Sequence, residues 1–236
     1  MKKTIGFFLL IICMLLCSCQ NDSSETYDFY TETVTESSIT DTQTYSLETD
    51  INIRNISATE LKISDTLKYY MDKYALSESS YDEDTDGYVL NCYGCKYWAE
   101  NAEELTVSKI FSAAQIYQEY GLKITGIYIE LPVSEKIDIG EFKYLKTFEC
   151  MSTDVSGITC SSTLDNLEDF SLYYVQGQEE QIILDVCQIL EYHTPNIKTI
   201  TIDGIYTKEY PNLVNYLKSL YDISIFDEGI IYTQNG

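Results

Sequence analysis

Three aspartates at alternate positions form the clearest candidate for metal chemistry in this sequence. They are Asp82, Asp84 and Asp86. Gly87 follows at once, which completes the opening of a calcium loop, where carboxylate oxygens alternate and the chain bends at a glycine. The twelfth position of such a loop is a bidentate Glu, but here it is Tyr93. The segment is therefore predicted either to bind calcium weakly or to be a polar turn, and no metal site is assigned to it.

A second candidate is the pair Cys92 and Cys95, which has the C-x-x-C spacing of redox and zinc sites. In redox enzymes of the thioredoxin kind a Trp precedes the pair, whereas here Asn91 precedes it and Trp98 follows it. Outside the membrane such a pair commonly forms a local disulfide. Cys92 and Cys95 are therefore a disulfide candidate, and two unpaired thiols are the alternative.

Other catalytic and metal-binding machinery is sparse. A zinc site at the cysteine pair would need two more ligands, and the chain offers one histidine, His193, and the scattered Cys150, Cys160 and Cys187. Two of these, Cys150 and Cys187, fall at apolar pattern positions and are predicted to be core residues. One histidine leaves little room for a His-based triad, and neither a G-x-S-x-G elbow nor a phosphate-cradling glycine loop occurs. We therefore assign no catalytic residue and no cofactor, and predict that the protein is not an enzyme, with a pair of glycosidase-like carboxylates as the alternative.

Residues 1–18 are predicted to be a signal peptide. Lys2 and Lys3 precede an uncharged, mostly apolar run from Ile5 to Leu16, which is shorter than the about 20 residues that a membrane-spanning helix needs. The run ends in Leu16-Cys17-Ser18-Cys19, and this ending resembles the bacterial lipoprotein signal: an aliphatic residue, two small residues and a cysteine. The resemblance implies cleavage before Cys19 and attachment of a diacylglycerol to its sulfur. An ordinary cleaved signal is the alternative.

Charge limits the range of partners. The formal net charge is −23, and loss of Lys2 and Lys3 with the signal makes it about −25, because no acidic residue precedes Cys19. Such a chain is repelled by nucleic-acid phosphates and by anionic lipid head groups. Nucleic-acid binding is therefore not predicted. The expected contact with the cell membrane is the lipid on Cys19, at the extracytoplasmic face.

Composition divides the remaining chain into three stretches. Residues 19–50 are rich in Ser and Thr and contain eight acidic but no basic residues, which predicts a disordered tether behind the lipidated cysteine. Residues 51–121 are predicted to be an N-terminal helical capping region, with helices beginning after Ser64 and Thr106 and a strand at Tyr88–Cys92. Residues 122–236 carry a repeated pattern.

The repeated pattern is an aliphatic residue, two variable residues, an apolar residue, one variable residue and an apolar residue. Its five copies are Ile124-Ile127-Ile129, Leu145-Phe148-Cys150, Leu167-Phe170-Leu172, Ile197-Ile200-Ile202 and Leu220-Ile223-Ile225. Helical patterns fill the longer gaps between copies. The pattern resembles the leucine-rich repeat, although the family's Asn or Cys at the ninth position is missing. The resemblance implies an α/β solenoid of short parallel strands with return helices, and an ordinary α/β domain with buried parallel strands is the alternative.

In such a solenoid the variable residues of each strand lie on the concave face. The candidate ligand-binding residues are Tyr128, Glu130, Glu149, Asp169, Tyr173, Asp203 and Phe226. Carboxylates between aromatic rings suit a basic peptide, a cationic group or a sugar. We therefore expect a membrane-anchored extracytoplasmic lipoprotein that binds an extracellular protein or peptide, in particular a cationic one. A polysaccharide-binding or hydrolase-accessory surface protein is the alternative, and a purely structural surface protein is a third.

Overall fold

A largely parallel β-sheet with helices packed on one face gives the chain a mixed α/β fold. The computed structural model describes residues 53–92, 105–130, 133, 135–152, 154–175, 177–205, 208–226 and 229–233. For residues 223, 225, 226 and 229–233 the description covers the backbone alone. The predicted signal peptide, Cys19 and the predicted tether lie outside the described residues.

The described residues form ten strands. These are β1 (Tyr81–Asp82), β2 (Gly87–Cys92), β3 (Ile124–Ile129), β4 (Ile137–Asp138), β5 (Thr147–Met151), β6 (Ile158–Thr159), β7 (Asp169–Tyr173), β8 (Thr199–Asp203), β9 (Asp222–Phe226) and β10 (Gly229–Thr233). The main sheet has the order β1-β2-β3-β5-β7-β8-β10-β9, and β4 and β6 form a separate parallel pair. In the main sheet β2, β3, β5, β7 and β8 are parallel, each to the next. The predicted α/β class and its short parallel strands are therefore confirmed.

Apolar stripes form the helices of the described residues, and a serine or threonine side chain caps three of them. They are α1 (Ala58–Leu61), α2 (Asp65–Tyr70), α3 (Val107–Glu119), α4 (Glu180–His193) and α5 (Pro211–Leu220). A π-helical turn at Met71–Ala75 extends α2. The predicted caps are confirmed, since Ser64 accepts a hydrogen bond from the Leu67 N–H at 3.1 Å and Thr106 accepts one from the Lys109 N–H at 3.4 Å. No helix within the described ranges is long and apolar enough to cross a membrane.

One apolar core lies between the helices and the sheet. Alternate residues of the parallel strands form two buried rows, which are Leu90, Ile127, Phe148, Phe170 and Ile200, and then Cys92, Ile129, Cys150, Leu172 and Ile202. The rings of Phe148 and Phe170 stack with centroids 5.0 Å apart. Residues from all three long helices join the same cluster, among them Phe111, Ile183 and Leu213. Cys150 and Cys187 are buried, as their apolar pattern positions predicted.

The far end of the sheet differs from the predicted run of parallel strands. The fifth copy of the pattern forms β9, but β10 lies between β8 and β9 and is antiparallel to both. Leu220, the first residue of that copy, ends α5 and is 39% exposed. The corresponding residues of the other copies are buried; these are Ile124, Leu145, Leu167 and Ile197. The fifth copy therefore lacks the surroundings that the first four share.

Candidate functional site

The face of the sheet opposite the helices is lined by the alternate strand residues that do not enter the core. We call this surface the open face; its positions on the parallel strands are Val89, Asn91, Gly126, Tyr128, Thr147, Glu149, Met151, Asp169, Ser171, Tyr173, Thr199, Thr201 and Asp203. All of them except Gly126 are partly exposed, and none is a lysine or arginine. A Cβ at Gly126 would lie 3.0 Å from Val89 Cγ2 and 3.1 Å from Thr147 Oγ1. Neighbouring open-face side chains are thus closely spaced.

Two tyrosines and a glutamate lie at the centre of the open face. Tyr128 on β3 is paired in register with Glu149 on β5. Tyr173 on β7 is paired with Met151, which is the next open-face residue after Glu149 on β5. Neighbouring strands are about 4.8 Å apart. Tyr128, Glu149 and Tyr173 therefore lie on three adjacent strands, within reach of a single ligand.

Partial burial changes the acidity of this centre. Burial raises the pKa of Glu149 above its ordinary value. Burial also raises the pKa of Tyr128, and the nearby Glu149, Asp82 and Tyr173 raise it further. Glu149 thus carries its charge in surroundings less polar than water, where its attraction to a cation is stronger than at a fully exposed site.

Basic side chains lie at the amino edge of the parallel strands, outside the open face. Carboxylates lie along the whole face: Asp169 begins β7, Glu149 is the middle residue of β5, and Asp203 ends β8. Glu130 directly follows β3. Lysines instead precede the strands, and two of them form ion pairs there, Lys123 with Asp86 at 2.6 Å and Lys198 with Glu168 at 2.7 Å. The described positions of the open face therefore carry carboxylates and no basic side chain.

The structure brings most of the predicted binding residues together. Five of them lie on the open face, namely Tyr128, Glu149, Asp169, Tyr173 and Asp203. Glu130 is exposed directly after β3. Phe226 lies on β9, in register with Gly229 of β10, which is itself in register with Asp203 of β8, so that β10 separates Phe226 from Asp203. Phe226 is therefore not adjacent to the central group.

The acidic loop is the turn of a β-hairpin between β1 and β2. Asp82 accepts hydrogen bonds from the Asp84 N–H at 3.0 Å and from the Thr85 hydroxyl at 2.9 Å. Hydrogen bonds from Lys123 at 2.6 Å and from Tyr81 at 2.8 Å lower the pKa of Asp86. The carboxylates of Asp82 and Asp86 thus stabilise the turn. In the described part of the chain, no three acidic, histidine or cysteine side chains are grouped so that they could hold a metal ion.

The cysteines contribute little reactivity where the structure describes them. Cys92 is buried at the end of β2, and Cys95 lies outside the described residues, so their disulfide stays a prediction. Burial raises the pKa of Cys150 and Cys187 to about 12 and that of Cys160 to about 11. At neutral pH these three thiols are protonated and are poor nucleophiles.

One exposed aromatic residue at the carboxyl edge of the sheet was not predicted. Tyr174 directly follows β7, has a φ of 62° and is 56% exposed. It lies beyond the last apolar residue of its repeat copy, so the strand pattern does not include it. The one sequence signal is that a second tyrosine follows Tyr173.

No protein family model, curated protein or solved structure matches this chain. The geometry and charge of the open face therefore carry the functional proposal.

Proposed function

We propose that the protein binds extended, cationic segments of extracellular proteins on its open face. The observation that carries this proposal is the placement of Tyr128, Glu149 and Tyr173 on three adjacent strands. The described strand positions around them contain no lysine or arginine. A cationic side chain would meet aromatic rings and a carboxylate there without a competing positive charge on the face.

An ammonium or guanidinium group fits this centre for two reasons. A tyrosine ring attracts a cation by about 0.5–1 kcal/mol at an exposed site, and by more where water is excluded. A carboxylate accepts a charge-assisted hydrogen bond from the same group. The net charge of −23 adds a long-range attraction that increases the rate of encounter with cationic partners.

The sheet is, in this proposal, a divergent leucine-rich-repeat-like stack. Ile127 pairs with Phe148, and Ile137 pairs with Ile158, so a strand and the segment after it repeat with the same offset along the chain. Helices α4 and α5 take the place of that segment after β7 and β8. Stacked units of this kind present a continuous sheet face to a ligand, which supports assigning the ligand to the open face.

The proposed location is the extracytoplasmic face of the cell membrane, where the lipid on Cys19 is the anchor. Two acyl chains bind a membrane firmly, and an acidic, flexible tether of about 30 residues would span roughly 30 Å or more. Cys19→Ala should therefore release the protein into the medium. Retention of this variant in the membrane fraction would contradict the anchor.

Equilibrium binding of a labelled peptide of alternating lysine and serine tests the proposed function. Removing both rings in a Tyr128→Ala, Tyr173→Ala variant should weaken binding by about 10-fold, because each ring contributes about 0.5–1 kcal/mol. Tyr192→Ala is the matched control, since Tyr192 is 78% exposed on α4, a helix of the opposite layer. This control should leave the affinity unchanged.

Equal affinities of the wild type and the double variant would contradict the proposal. The same holds if a peptide with glutamate in place of lysine binds as well as the lysine peptide. Binding to a glycan array without binding to the lysine peptide would instead favour a polysaccharide ligand. The Tm of each variant, measured by thermal unfolding, shows whether the variant is still folded when its affinity changes.

A further inference from the structure

Tyr174 stands at the carboxyl edge of the open face, next to Tyr173. We propose that its ring is a further, pre-positioned contact for the bound peptide, which extends the site from the centre of the face to this edge. The inference rests on the proposed function of the open face. It assigns a contribution to affinity to Tyr174, which lies outside the repeated strand pattern of the sequence.

The residues that directly follow β7 and the neighbouring strand β8 share a positive φ. Leu172 pairs with Ile202, and two residues later each strand has a positive φ, 62° at Tyr174 and 83° at Gly204. Glycine adopts this conformation freely because it lacks a Cβ. A tyrosine is strained by it, since its Cβ approaches the following carbonyl oxygen. The chain therefore adopts a positive φ at equivalent positions after two neighbouring strands, once with a glycine and once with a tyrosine.

The structure holds the strained residue from its carboxyl-terminal side. Val175 is buried, and its N–H donates to the Asp203 carbonyl at 3.4 Å. The hydroxyl of the buried Tyr210 donates to the Gln178 carbonyl at 3.2 Å and accepts from the Gly177 N–H at 3.3 Å. Strained backbone conformations persist where such contacts over-determine them.

Packing within the protein does not account for the tyrosine. Its side chain is 56% exposed, so burial of the ring offsets little of the backbone strain. The position is instead suited to a ligand. Tyr173 precedes it on β7, and Asp203 lies on the neighbouring strand. An aromatic side chain on a fixed backbone loses little conformational freedom when a partner binds, so more of its contact energy appears as affinity.

Replacing Tyr174 by glycine, the residue at the equivalent position after β8, tests whether Tyr174 serves ligand binding or folding. Tyr174→Gly should raise Tm by about 2–4 °C, the size expected for relief of one strained conformation in a domain of this size. It should weaken binding of the lysine–serine peptide by about 5-fold. Tyr174→Asn, which also removes the ring but tolerates positive φ, should weaken binding to the same extent. Tyr174→Phe keeps the ring and should retain the affinity.

Gly204→Ala is the matched control for the backbone, because it puts a Cβ into the same conformation on β8. It should lower Tm without the loss of affinity seen for Tyr174→Gly. Unchanged affinity of Tyr174→Gly, together with weakened binding of the Tyr128→Ala, Tyr173→Ala variant, would overturn the inference alone. A lower Tm of Tyr174→Gly would overturn it too, since Tyr174 would then support the fold. Absence of peptide binding by the wild type would overturn both this inference and the proposed function.

Discussion

Along β5 and β7 the side chains alternate between two surfaces with opposite chemistry. Phe148 and Phe170 stack in the core, while the next residues, Glu149 and Ser171, lie partly exposed on the open face. A slip of one residue in strand pairing would exchange the two surfaces, so the apolar rows fix the register and thereby place the polar residues. In the proposed account, folding stability therefore resides on one face and ligand binding on the other. Substitutions on the two faces should then have separable effects.

The largest effect is expected on the core face. Phe170→Ala should lower the free energy of unfolding by about 3–5 kcal/mol, because it leaves a cavity in a fully buried row. Thr201→Ala, on the open face of the next strand, is the control and should change it by less than about 1 kcal/mol. Urea unfolding measures both values. Similar losses in the two variants would show that the faces are not separated as described.

On the open face, Glu149→Gln should weaken binding of the lysine–serine peptide by about 5- to 10-fold, because a partly buried carboxylate loses its charge. The free energy of unfolding should not fall. Glu119→Gln removes the same charge from the end of α3, in the helical layer, and should leave the affinity within about 2-fold. Equal effects of the two substitutions would mean that net charge, and not this position, governs binding.

Titration of Glu149 should change the free energy of unfolding and the peptide affinity in opposite directions. Its pKa is raised in the folded state, so protonation of its carboxyl group favours the folded protein. This contribution to stability is complete below the unfolded pKa of about 4.3. That contribution is lost as the pH rises through the folded pKa. On acidification, the wild type should gain stability relative to Glu149→Gln while its affinity advantage over that variant disappears. Urea unfolding and peptide titration of both proteins between about pH 4 and pH 7 measure this, and a relative loss of stability would contradict the assignment.

The smallest effect is expected at the amino edge of the sheet. Lys198 and Glu168 form an ion pair whose side chains are 64% and 44% exposed, and such pairs contribute about 0–1 kcal/mol. Lys198→Gln should therefore change the free energy of unfolding by less than about 1 kcal/mol and the peptide affinity by less than about 2-fold. A larger change in affinity would extend the binding site to this edge.

Helices and strands that are encoded by short sequence patterns could be predicted. Polar caps at Ser64 and Thr106 and apolar stripes behind them predicted α2 and α3, and alternation within the repeat copies predicted β3, β5, β7 and β8. The hairpin of β9 and β10 was not predicted, because the apolar run Ile230-Ile231-Tyr232 has no strict alternation and its partner is set by tertiary packing. Strand order in the sheet therefore departs from strand order in the chain at this end.

The same distinction applies to the candidate site. Tyr128, Glu149 and Tyr173 could be assigned to one face from their spacing relative to buried neighbours. Phe226 lies two strands from Asp203, because the order of β9 and β10 in the sheet is not their order in the chain. The positive φ of Tyr174 could not be predicted, since it depends on contacts of the following loop with β8 and with Tyr210.

Photochemical cross-linking of the lysine–serine peptide to the full chain tests the central claim most directly. With a photoreactive group in the peptide, mass spectrometry identifies the residues that the bound peptide contacts. We expect cross-links at open-face residues of β3, β5 and β7 and at Tyr174, all suppressed by excess unlabelled peptide. Competed cross-links that fall mainly on the helices α3, α4 and α5 would contradict the account.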